Sequence, residues 1–110
     1  MANSFRGEVA LDVDGVVMPM RLNLGALAEL EDRLGAEGLL PLIERFESSA
    51  FKANDIIVLL HAGLQGAGWQ GSENDLRSAV IGGGPMAAAK AAGMLLRVTF
   101  SLPDAPDEAV

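Results

Sequence analysis

The sequence predicts a single α+β domain: an N-terminal β-hairpin packed on a compact bundle of four to five short α-helices. Three observations predict it. Two apolar-alternating runs flank Asp14-Gly15, a dipeptide suited to a two-residue hairpin turn. From Asn23 onward the apolar residues recur at helical spacing. No later run resumes a strand-helix alternation, so the hairpin is not the start of a parallel sheet.

The hairpin comes first. In the run from Arg6 to Val13, the residues Val9, Leu11 and Val13 share one face; from Val16 to Leu22, so do Val16, Met18, Met20 and Leu22. A turn at Asp14 and Gly15 pairs Val13 with Val16, Leu11 with Met18 and Val9 with Met20. That register gathers Val9, Leu11, Val13, Val16, Met18 and Met20 on one face, and a slip of one residue would scatter them. Pro19 falls on the other face and marks the second strand as an edge.

Asn23 reads as the N-cap of a first helix with an apolar stripe of Leu24, Leu27, Leu30 and Leu34, closed by Gly35. A second helix is expected from about Leu39 to Phe46. Pro41 is tolerated in its first turn, and its apolar face is Leu39, Leu42, Ile43 and Phe46. Asn54 is the expected cap of a third helix bearing Ile56, Ile57, Leu59, Leu60 and Leu64; it is apolar on most sides and therefore central. It runs into the glycine-rich segment from Gly63 to Gly71. Ser72 and Asp75 have the spacing of a capping box for a fourth helix carrying Leu76, Ala79 and Val80, ended by Gly82-Gly83-Gly84. Pro85 suits the first position of an alanine-rich fifth helix from Met86 to about Val98. Residues 1–102 make up the domain, with the first five as a loose terminus, and 103–110 form a flexible acidic tail.

Composition narrows the function. A chain of 110 residues suits one domain, and 50% apolar content is too high for a disordered one. Aromatic residues are only 5%, with one Trp and no Tyr, so the core is built from Leu, Val, Ile, Ala and Met. A net charge of -7 argues against general nucleic-acid binding. With no Cys there is no disulfide, thiolate metal site or Cys nucleophile. No apolar run approaches the roughly 18 residues of a membrane span, and no signal-peptide pattern opens the chain. The expectation is a soluble intracellular protein.

Four features invite a chemical reading. Asp12-Val13-Asp14-Gly15 has the pattern of a Mg²⁺-dependent phosphatase, with Asp12 as nucleophile and Asp14 as general acid. That chemistry needs a parallel sheet, a later Lys and a later acidic pair on further strands, and this chain offers no strands to carry them. The structural turn reading of Asp14 and Gly15 has the register on its side. Gly66-Ala67-Gly68-Trp69-Gln70-Gly71 matches the dinucleotide fingerprint, but it follows a helix instead of a strand and reads as an inter-helix loop. His61 is the only His, so no His-based metal site can form, and its place in the apolar third helix suits a structural role. Glu29, Glu31, Asp32, Glu44 and Glu47 read as solvated helix faces. No catalytic, metal or cofactor residue is assigned. Trp69, set among glycines, is a candidate partner-binding residue, as are Met18 and Met20 on the hairpin.

Arg6-Gly7-Glu8-Val9, Asp14-Gly15, Arg21-Leu22, the run from Leu24 to Glu31, and Leu34-Gly35 together resemble the gene transfer agent tail protein family. Asp55-Ile56-Ile57 and Ala62-Gly63-Leu64 extend the resemblance over the first two thirds of the chain. The members are small phage-derived proteins of tail gene clusters, called tail tube or tail assembly chaperone proteins. The resemblance implies a non-enzymatic assembly role in the bacterial cytoplasm. Its partners would be the tape-measure protein, the tail tube protein, or further copies of itself. A structural tail tube or tail-completion subunit is the alternative, and the small phosphatase is the alternative from another class.

Overall fold

The computed structural model describes residues 8–35, 38–48 and 51–101. The expectations of a loose start and of a flexible tail after residue 102 lie outside the described residues. The elements run β1 (Glu8–Val13), β2 (Val16–Arg21), α1 (Leu24–Leu34), α2 (Leu39–Glu47), α3 (Ala53–Gly66), α4 (Glu73–Ser78) and α5 (Gly84–Ser101). This is the predicted α+β arrangement, a hairpin followed by five helices.

β1 and β2 pair antiparallel in the register read from the apolar pattern: Val13 with Val16, Leu11 with Met18, Val9 with Met20. Leu11, Val13 and Met20 are buried, and Met20 is fully so. Val16 shares their face but is 56% exposed, because it lies at the hairpin tip. A short third segment lines the outer edge of β1. Val13 bridges to Ile81, the Asp14 N–H donates to the Val80 carbonyl (2.8 Å), and the Gly82 N–H donates to the Asp12 carbonyl (3.0 Å). Residues Asp12 and Asp14 thus turn their backbone groups outward. By alternation, Val9, Leu11 and Val13 bond to β2, and Val17, Pro19 and Arg21 face the free edge of β2. Pro19 therefore lacks a donor only where no β1 partner needs one.

The helices begin and end as their sequences dictate. The Asn23 carboxamide accepts from the Ala26 N–H (2.8 Å), and Gly35 closes α1 in the left-handed conformation with its N–H on the Glu31 carbonyl. Leu27, Leu30 and Leu34 are buried, but Leu24 is 83% exposed; as the first helical residue it projects past the edge of the core. α2 carries Pro41 in its first turn and buries Phe46 with Ile43 half-buried, whereas the side chains of Leu39 and Leu42 lie outside the described ones. Phe46 stacks on Phe51 at 5.2 Å, holding the end of α2 against the approach to α3.

α3 is the central helix, with Val58, Leu59, Leu60, Ala62, Gly63 and Leu64 buried. Its cap is not Asn54. The helix starts at Ala53, two residues earlier than an Asn54 cap implies; Lys52 is the cap, and the Asp55 carboxylate accepts the Lys52 N–H at 2.9 Å. Asn54 lies in the first turn, where its carboxamide accepts from Arg77 of α4. The capping box of α4 is present in both directions: Ser72 N–H to Asp75, and Asp75 N–H to Ser72 Oγ. α4 stops at Ser78, short of the expected Ala79 and Val80, because residues 80–82 extend along β1 instead.

β2 lies directly across the C-terminal half of α3. A Cβ on Gly63 would meet Leu95 of α5 at 2.5 Å and the Met20 Cβ at 3.0 Å; one on Gly66 would land on the carbonyl oxygen of Arg21. α5 covers the other side, burying Ala88, Ala92, Leu95 and Leu96. Met20, Leu30, Leu59, Leu60, Leu64, Leu95 and Leu96 form the fully enclosed centre. Gly66→Ala has no flexible neighbour to displace, only backbone. It should cost about 3 kcal/mol or more, while Gly25→Ala, at an exposed site of α1 whose added Cβ meets only the Asn23 side chain at 3.5 Å, should be neutral or stabilising. Urea unfolding of both variants checks this contrast.

Candidate functional site

The turn between β1 and β2 shows what Asp12 and Asp14 do. Asp14 and Gly15 both have positive φ, 53° and 85°, the type I′ geometry that matches the strand twist. An Asp tolerates that conformation, and a β-branched residue at Gly15 would not. Asp12 Oδ1 accepts the Gly15 N–H at 2.9 Å, and Asp14 Oδ1 accepts the Val80 N–H at 2.8 Å. Each carboxylate is spent on a backbone donor. Their strand pairs antiparallel with a hairpin partner, not within the parallel sheet that a phosphatase nucleophile requires. Among the described residues no group of three or more His, Asp or Glu could hold a metal ion.

The segment Gly66 to Gly71 closes a helix, whereas a dinucleotide loop opens one. The Trp69 N–H donates to the Leu64 carbonyl (2.9 Å) and the Gly68 N–H to the Gln65 carbonyl (2.9 Å), with Gly68 at positive φ. That pair of bonds is the Schellman termination. It lays the Trp69 indole over Gly71, where any Cβ would strike the ring. His61 meets the indole edge-on at 6.0 Å, and its Nε2 donates to the Gly71 carbonyl at 2.9 Å.

A chain of polar side chains ties this corner to α1. Arg33 grips Glu73 with both guanidinium nitrogens, at 2.6 and 3.0 Å, and His61 Nδ1 lies 3.9 Å from the same carboxylate. The Arg33 hydrogen bond holds the Glu73 carboxyl below its ordinary range, opposed by partial burial. Asp75 is lowered too, by the hydrogen bonds from Ser72. His61 is thus a largely buried structural link, joining α3 to the loop that carries Trp69.

Beside the indole runs an open groove of 710 Å³. One wall is Asn23, Ala26 and Glu29 of α1; the other is Ala62 and Gln65 of α3 with Trp69 and Gln70. Small residues floor it and side-chain amides rim it. Glu29 is the charged residue in its lining. Trp69 is half-buried, packed on the core on one side and facing the groove on the other. The hairpin candidates part company. Met18 is half-buried against the core, but Met20 is fully buried, pinned between the hairpin and α3, so a surface contact by Met20 is not available in the folded chain. The α1 wall of the groove went unread in the sequence because its residues are small or polar. Only the approach of α1 to the end of α3 makes a groove of them.

Residues 6–102 match the family model described as phage tail tube protein, GTA-gp10. No curated protein and no solved structure is significantly similar to the chain.

Gly15→Val should cost about 2–3 kcal/mol through backbone strain, whereas Asp12→Asn keeps an acceptor for Gly15 and should cost less than about 1 kcal/mol; thermal melts separate them. Acid titration tests the Arg33–Glu73 pair. A carboxyl whose folded pKa is depressed contributes stability above its unfolded pKa, near 4.3, and loses it as pH falls through the lower folded value. Glu73→Gln should therefore be less stable than the parent by about 0.5–1 kcal/mol at pH 7. The difference should shrink as pH falls through the folded value and vanish below it, and equal stabilities at pH 7 would refute the role given to the pair.

Proposed function

The chain belongs to the phage tail tube protein family, GTA-gp10, a family of tail structural proteins and not of enzymes, and from that membership we propose that it acts without catalysis as a tail assembly chaperone. In this reading it binds the tape-measure protein of a phage-like particle in the bacterial cytoplasm and promotes growth of the tube around it.

The observation that carries the reading is how little sheet the chain can share. A tube wall of sheets joined edge to edge needs open edges on both sides. Here residues 80–82 cover the outer edge of β1 near the turn, and Pro19 withholds a donor from the free edge of β2. Most of the remaining surface is helical, which suits recognition of a helical segment in a groove. The groove beside Trp69 has room for a row of side chains and offers the indole as an aromatic anchor. Among the described residues no helix is long and apolar enough to cross a membrane.

The family description itself favours a second reading, a subunit of the tube or of its completion. Mass spectrometry of purified particles separates the two: stoichiometric copies speak for a subunit, and absence from the particle for a chaperone.

Co-expression provides the direct test. The tape-measure protein should be recovered soluble with this chain and aggregated without it; equal recovery in both cases defeats the proposal. Trp69 is the one Trp, so binding in the groove should shift its emission. Trp69→Ala should weaken association at least tenfold, about 1.4 kcal/mol, with far-UV circular dichroism unchanged.

A further inference from the structure

α5 stands apart electrostatically. The chain holds 15 acidic residues, yet none falls in the 18 residues of α5. Beyond Pro85, its exposed positions among the described side chains are Met86, Lys90, Met94 and Arg97. The spacing of four, four and three residues stacks them in one ridge, alternating methionine and cation. Met86 is 82% exposed and Met94 45%. Lys90, Met94 and Arg97 also line a groove of 390 Å³ with Phe46 of α2, and at Gly93 an added Cβ would meet nothing within 4 Å.

α1 carries the complement. Leu24 is the most exposed large apolar side chain among the described residues, at 83%. Ala28 and Asp32 follow it at exposed positions four and eight residues on, with half-buried Glu31 beside them. We propose that α1 of one copy docks on the α5 ridge of a second copy. Seating Leu24 on Met86 with the helices parallel carries Glu31 and Asp32, about 10–12 Å further along, to the level of Gly93 and Met94. That is the open floor between Lys90 and Arg97. The methionines adapt to the leucine, and the cations meet the carboxylates. Elsewhere the net charge of -7 sets copies against each other, so this ridge is where they attract.

The contact is heterologous: the surface used on one copy differs from that used on the next, so each copy still offers a free ridge or a free α1. Such contacts close into rings or continue as filaments. The inference concerns self-association and stands independently of tape-measure binding.

Light scattering coupled to size exclusion, at about 100 μM and low salt, tests it. The parent should run above monomer mass and fall toward monomer in 0.5 M NaCl. Lys90→Glu with Arg97→Glu, and separately Glu31→Lys with Asp32→Lys, should each weaken association about tenfold or more. An equimolar mixture of the two double variants should recover it, because each then meets a complementary surface on the other. Met86→Gln with Met94→Gln provides a charge-neutral variant with the same expected loss, and circular dichroism verifies folding of all three. A parent that stays monomeric overturns the proposal, as does unchanged association in the ridge variants. Failure of the mixture to recover overturns α1 as the occupant.

Discussion

The fold depends on one close approach, that of β2 to the C-terminal half of α3. Gly63 and Gly66 lie three residues apart in the helix; the Met20 side chain lies against the first and the backbone of Arg21 and Leu22 against the second. The absence of side chains at those positions allows the hairpin to sit on the helix at backbone distance, with Met20 completely enclosed. With Met20 and Leu11 inserted, the apolar face of the hairpin becomes one wall of the core, and α5 closes over Gly63 through Leu95. An isolated two-stranded hairpin is marginal in water. Here the helix supplies the apolar surface that the hairpin lacks, and two glycines supply the distance.

The second fixed point is the turn. Asp12 and Asp14 look like catalytic carboxylates, yet they act as clamps. One holds the N–H of Gly15 inside the turn, and the other holds the N–H of Val80, which arrives from the far side of α4. Local and distant parts of the chain are thereby joined at a single point. The joint also redirects the chain: residues 80–82 run along β1, and α5 then starts at Gly84 in position to cover the core. The same joint occupies an edge where a sheet could otherwise have been extended.

Charge is unevenly distributed over this frame. Acids lie on the hairpin, on α1 to α3 and at the corner near α4, and part of that set is neutralised internally, as where Arg33 pairs with Glu29 and Glu73. α5 has only cations. Such segregation allows different surfaces to be recognised each by its own electrostatic complement. The groove beside Trp69 and the proposed docking face of α1 share that helix but not its residues: Asn23, Ala26 and Glu29 line the one, and Leu24, Ala28, Glu31 and Asp32 form the other.

Much of this was legible in the residues. The hairpin register followed from period-two alternation around Asp14-Gly15, because only one pairing puts Val9, Leu11, Val13, Met18 and Met20 together. The caps at Asn23, Ser72 and Gly35 followed from local hydrogen bonding, which a few neighbouring residues decide among themselves. Other features were settled only by tertiary structure. Val80 and Ile81 could extend a helix or pair with a strand, and the bonds to Asp12 and Asp14, 66 residues away in one case, decided for the strand. Leu24 matched the helical period yet lies beyond the reach of the core. Met20 and Trp69 are both large apolar residues in suggestive places, but burial depends on what packs opposite: α3 and α5 enclose the first, while the groove beside α1 leaves one side of the second open. Local propensity and pattern select the elements; which faces remain for a partner is decided by contacts between residues far apart in the chain, and a sequence read in short windows does not contain them.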